Sequence, residues 1–156
     1  MVKPSEALYS FRLKLDKIGP DYVTAHVFRD ADALRRYATI AIPHRKAAHW
    51  LNTEGLAHTW SVERFVKGRW TGRLRKWRRS PDRGFVGLHL AQTGAGVIAH
   101  EFCHIASFTA QESRFKPGSH NWEERLAWTC GWLMHQFCKQ AFAAGMYRRR
   151  SRMRGR

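Results

Sequence analysis

The sequence predicts an α+β protein in which a small, twisted, mostly antiparallel sheet packs against two long helices. Three observations lead there. Short stretches alternate apolar and polar residues at a period of two, as half-buried strands do. Two later stretches, from Gly94 to Phe115 and from Asn121 to Gly145, are long, free of proline and rich in apolar residues. At 156 residues, the length suits one domain with one core. We place that domain at residues 1–147, with a basic insertion at about 64–83 and a disordered Arg-rich tail over 148–156.

The strands come first. Phe11-Arg12-Leu13-Lys14-Leu15 alternates apolar and basic residues, and Gly19-Pro20-Asp21 reads as a turn. Tyr22 to Phe28 is β-branched and aromatic, and is expected to pair with the first strand. Asp30 is placed to cap a short helix from Ala31 to about Tyr37. Pro43 ends the next apolar stretch, and Arg45 to Leu51 fits a helical turn or two. His58 to Phe65, with Trp60 and Val62 on one face, predicts a third strand. Lys67 to Arg83 contains Gly68, Gly72 and Pro81, as a long hairpin connection or a loop would. Phe85 to Leu90 predicts another strand, and Gln92-Thr93-Gly94 a turn into a helix. Asn121 is the expected N-cap of the last helix, with Glu123 and Glu124 in its first turn, where the helix dipole favours negative charge.

Charge and cysteine content bound the function. There are 28 Lys and Arg against 12 Asp and Glu, a formal charge of +16. Nine of the basic residues fall between Arg64 and Arg83 with one acid, Asp82, and are interleaved with Phe65, Trp70 and Trp77. Six arginines and no acid occupy Arg148 to Arg156. Such patches attract polyanions by counterion release, and arginine beside aromatic residues suits stacking on unpaired bases. Nucleic acid is therefore one expected partner; a solvated surface or an acidic protein is the alternative. No apolar run is long enough to span a membrane, and the first sixteen residues lack the apolar block of a secretory signal. Three cysteines (Cys103, Cys130 and Cys138) cannot all pair, so reduced thiols in the cytoplasm are expected.

The chemistry concentrates at His100-Glu101-Phe102-Cys103-His104. On a helix the two histidines share a face one turn apart. Two imidazoles so placed can hold one Zn2+ at about 2.0–2.1 Å. Glu101, one residue off that face, can act as general base toward a water molecule. In a chain this rich in histidine the bare pattern would arise by chance in roughly 2% of shuffled sequences, so its flanks matter. Val97-Ile98-Ala99, Phe102-Cys103 and Ile105-Ala106 are all uncharged, as a buried helix requires. A core helix whose histidines merely bond to neighbours is the alternative, and burying such a group without partners is costly.

A catalytic zinc keeps three protein ligands and one open position. His100 and His104 supply two. A third histidine six residues after His104 is ruled out, because Ala110 stands there. Glu124, Glu123 and His120 remain. Helical spacing favours Glu124, because Ala127 and Gly131 continue its face with small side chains that would let the two helices approach closely. Glu123 shares its face with Leu126, Cys130 and Met134, which reads as core. His120 would instead complete a three-histidine site. His89, His120 and His135 are candidates for stabilising an oxyanion.

Phe85 to Phe108, joined to Glu123-Glu124-Arg125-Leu126-Ala127-Trp128 and Gly131-Trp132-Leu133, resembles small gluzincin-type H-E-x-x-H zinc metallopeptidases, many carried by phages and other mobile elements. The similarity covers about a third of the chain. It implies a minimal zincin-like fold, zinc held by His100, His104 and Glu124, Glu101 as catalytic base, and a protein or peptide substrate. It also implies that the strand before the motif helix lies at the sheet edge, where an extended peptide could add. His-Glu-Phe-Cys-His with His120 sixteen residues on is similar as well to the SprT-like DNA-associated proteases. Their third ligand is usually followed by glycine, whereas Asn121 follows here. The expected activity is a zinc endopeptidase; the alternative is a basic nucleic-acid-binding protein whose zinc site is structural or catalytically idle.

Overall fold

A computed structural model describes residues 6–42, 55–59, 65–71, 74–79, 81–112 and 115–147. Its first unit is an antiparallel hairpin of β1 (Ala7–Lys14) and β2 (Tyr22–Phe28), in register from Ser10 opposite His26 to Lys14 opposite Tyr22. The connection folds around Asp16, whose carboxylate accepts from the backbone N–H groups of Ile18 (2.9 Å) and Gly19. Leu13, Val23, Ala25 and Val27 are fully buried on one face of this hairpin. His26 and Phe28 are buried on the other. β2 is thus covered on both sides.

The second cover is α1 (Ala31–Ala41), which starts where expected because Asp30 accepts a hydrogen bond from the Ala33 N–H at 2.9 Å. Such a cap stabilises a helix by about 1 kcal/mol. Leu34 is buried against Phe28, while Ala38 and Ile42 pack on Phe85. Gly87 makes the approach possible: a Cβ there would lie 2.5 Å from Leu34 Cδ1. The expected turns at Arg45 to Leu51 lie outside the described residues.

β3 (Gly55–Thr59) begins three residues before the strand expected at His58 to Phe65; 60–64 lie outside the described residues. β4 (Phe65–Thr71) and β5 (Leu74–Arg79) then pair with each other alone, forming a two-stranded antiparallel ribbon, the hairpin form of the basic segment. β6 (Asp82–His89) returns to the main sheet, whose order is β1-β2-β6-β3. It runs parallel to β2 and antiparallel to β3.

This corrects one expectation. The strand before the motif helix is interior, and β3 is the edge. The residues of β6 explain it. The strand is buried almost throughout, and an unbroken buried run suits a strand with a neighbour on each side and layers above and below.

A 3-10 turn (Leu90–Gln92) leads into α2 (Ala95–Glu112), and α3 (His120–Ala143) follows. Both lie on the face of the sheet opposite α1. Ile98, Phe102 and Ile105 of α2 join Leu133 and Phe137 of α3 over Leu13, Val86 and Leu88. The cap of α3 is Ser119, not Asn121: its hydroxyl accepts from the Trp122 N–H at 3.4 Å, and the helix starts at His120, two residues earlier than a cap at Asn121 would set it. Pro117 and Gly118 precede it, the glycine with φ 76°, so the turn delivers Ser119 to the cap position. At the other end Gly145 takes φ 71°, and the N–H groups of Met146 and Gly145 bond Ala141 and Phe142 carbonyls at 3.0 Å each. That double bond through a left-handed glycine closes the helix.

Two polar devices join the layers. Gln136 on α3 pairs with both backbone groups of Lys14, accepting from its N–H at 2.9 Å and donating to its carbonyl at 2.8 Å. Gln140, one turn on, donates to the Arg12 carbonyl at 3.1 Å. Buried Arg83, at the start of β6, meets Glu112 at the end of α2 and Asp21 at 3.8 Å.

Candidate metal centre

α2 carries His100 and His104 on one exposed flank, one turn apart. Their Nε2 atoms are 3.2 Å apart, and the rings are perpendicular (90°) with centroids 4.7 Å apart. Two nitrogens on one tetrahedral zinc, each at 2.0–2.1 Å, would be about 3.3 Å apart. The imidazoles therefore converge with the spacing of two ligands on one ion. Without metal the same contact is a hydrogen bond, with one ring donating from Nε2.

Glu101 packs against the edge strand, within electrostatic reach of both histidines, and only 6% of it is exposed. Its side chain runs along β3: a Cβ at Gly55 would lie 2.8 Å from Glu101 Oε1 and 2.9 Å from its Cγ. The Ala57 backbone donates a hydrogen bond to the carboxylate. Burial pushes the carboxyl above its ordinary range; His100, His104 and the Ala57 bond oppose that shift. A carboxylate whose proton affinity is raised in this way is a stronger base than an exposed one. The sequence reading did not include Gly55. Gly55 opens β3 and lies outside the strand expected at His58 to Phe65, so no local pattern singles it out.

The candidate third ligands are not gathered in. His120, Glu123 and Glu124 are all exposed near the start of α3. Among the described residues no third His, Cys, Asp or Glu joins the pair in a group able to hold a metal. The small-residue stripe is also not where expected. Ala127 and Gly131 are exposed, and a Cβ at Gly131 would meet nothing within 4 Å. Larger apolar residues make the contact between α2 and α3 instead, because burying them removes more surface from water. Phe102 meets Phe137 edge to face at 5.7 Å, and Cys103 Sγ lies 3.4 Å from Cys130 Sγ. All three cysteines are thiols. Burial and the neighbouring Cys103 push the Cys130 thiol up to about 11.

The remaining histidine candidates are dispersed. His89 is buried at the end of β6, and His135 stacks on Trp132 at 5.9 Å. The spacing at His100 and His104 fits that of two nitrogens on one tetrahedral zinc, and among the described residues no third donor joins them. No described helix is long and apolar enough to cross a membrane. In comparisons with known proteins, the chain matches no family model, no curated protein and no solved structure.

Proposed function

We propose that this chain is a zinc-dependent endopeptidase, with His100 and His104 as metal ligands, Glu101 as general base and Glu124 as third ligand. The observation that carries the reading is the 3.2 Å convergence of the two Nε2 atoms beside a buried carboxylate. Zinc at that point would supply a Lewis acid for the scissile carbonyl and activate water for attack. His100 and His104 offer neutral imidazole nitrogens to it. Glu101, shielded by β3, takes a proton from the attacking water and returns it to the leaving amine. Glu124 occupies an exposed position in the first turns of α3.

Two measurements test this. Metal content should fall from about one zinc per chain to near zero in His100→Ala, and Glu124→Ala should release it as well; if His120→Ala does so instead, the third ligand is reassigned. Hydrolysis of a fluorogenic casein should drop by roughly 10²–10⁴-fold in Glu101→Gln with zinc retained. Unchanged hydrolysis would remove the mechanism.

The +16 charge favours a second reading, a nucleic-acid-binding protein with a structural or idle zinc site. Its contacts would come from Arg64 to Arg83 and the Arg148 to Arg156 tail. Under that reading Glu101→Gln changes nothing and salt governs binding.

A further inference from the structure

The ribbon of β4 and β5 pairs with no strand of the main sheet, yet its register orders the basic segment in a way composition does not reveal. Phe65 stands opposite Arg79, Lys67 opposite Trp77, and Trp70 opposite Arg75. Directly opposed residues share a face of a ribbon, and so do residues two apart on one strand. Arg75, Trp77 and Arg79 therefore share a face, and so do their three partners. Every rung of that face combines one aromatic residue with one cation.

A register shift between Lys67 and Trp70 produces the third rung. In an unbroken ladder Arg69 would stand opposite Arg75, and two like charges would meet. The bulge substitutes Trp70. The other face does not repeat the pattern, since Val66 opposes Arg78 and Thr71 opposes Leu74. Cross-strand aromatic–cation pairs can by themselves steady a ribbon, but Leu74, Lys76 and Arg78 share the other face with Val66 and Thr71 and with no aromatic residue, so all three aromatics of the ribbon fall on one face.

We propose that this face of the ribbon binds single-stranded nucleic acid, its three aromatic residues stacking on unpaired bases and its three cations meeting the phosphates. Rings accept any base through its π-face, and cations track the backbone, so a face with both at each rung suits a strand without strong sequence preference. A duplex hides its base faces and would use the cations alone. The proposal is independent of the peptidase reading.

The test uses the full chain and fluorescein-labelled oligothymidine, followed by anisotropy over a salt series, with the matching duplex as comparison. Trp70→Ala and Trp77→Ala should each weaken binding to the single strand roughly tenfold with the salt slope unchanged. Arg75→Gln and Arg79→Gln should each lower the slope by roughly 0.7. Trp77→Phe, which keeps a ring, should hold affinity within a few-fold, and circular dichroism should match wild type throughout. Glu101→Gln, or chelation of zinc, should leave binding unchanged, so failure here is distinct from failure of the peptidase reading. The proposal is overturned if the tryptophan variants bind like wild type, if the duplex binds more tightly than the single strand, or if only deletion of residues 149–156 affects binding.

Discussion

Glu101 owes its place to a neighbour without a side chain. Gly55 leaves the space into which the carboxylate fits, and any Cβ there would meet Oε1 at 2.8 Å. Gly55→Ala should therefore destabilise the protein by about 1–3 kcal/mol, the range for overpacking a filled site. The same substitution in a Glu101→Ala background should cost little, because the space is then empty. A double-mutant cycle by urea denaturation measures this coupling; additive effects would show that the two residues do not compete for one space. At this scale the sequence is readable where a contact is local. The spacing of His100 and His104 follows from one turn of helix, so the motif alone located both rings. Gly55 is 46 positions from Glu101, and no local pattern reports a contact made by the arrival of a distant strand. Ala127 and Gly131 favour Glu124 by spacing alone, but that face of α3 is open to solvent.

Elements were legible when their boundary chemistry was unambiguous. Asp30 caps α1 as expected, and β2 spans Tyr22–Phe28 as its β-branched and aromatic run indicated. Asn121 and Ser119 are both good caps, and only the preceding Pro117-Gly118 turn decides between them. The neighbours of β6 were not legible, since a strand-turn-helix order is the same for an edge strand and an interior one. Gln136 and Gln140 show a further element-level feature: α3 completes the hydrogen bonding of the β1 edge with side-chain amides. Replacing Gln136 with Ala returns two backbone groups of Lys14 to water, at a net cost of about 1 kcal/mol per bond. The expected outcome is a fall of several degrees in the thermal midpoint and faster hydrogen exchange at the Lys14 amide. An unchanged exchange rate would mean that the bonds do not protect the edge.

At the scale of the whole molecule, stability is linked to pH through His26. This residue is buried between β1 and α1, bonded to Ser10 Oγ at 2.9 Å and edge-on to Tyr37, and burial lowers its pKa from 6.5 to about 4. The unfolded chain therefore binds a proton first as the pH falls. The contribution of His26 should be fully present above pH 6.5 and be lost down to about pH 4, by at most about 3 kcal/mol. Urea midpoints across that range should slope more steeply for the wild type than for His26→Phe; equal slopes would assign the pH dependence to other groups.

The parallel pairing of β2 and β6 also sets an order of assembly. β1 meets β2 across a short connection, and α2 and α3 are adjacent in the chain. Joining β2 to β6 closes a loop over residues 29–81. Closing a long loop costs more entropy than a short one, and contacts between distant segments form more slowly. The β1–β2 and α2–α3 pairs are therefore early structures, β3 meets β6 across the shorter span 60–81, and the joining of β2 to β6 comes last. The two imidazoles face each other as soon as one turn of helix exists. The seat of the carboxylate exists only once β3 has arrived.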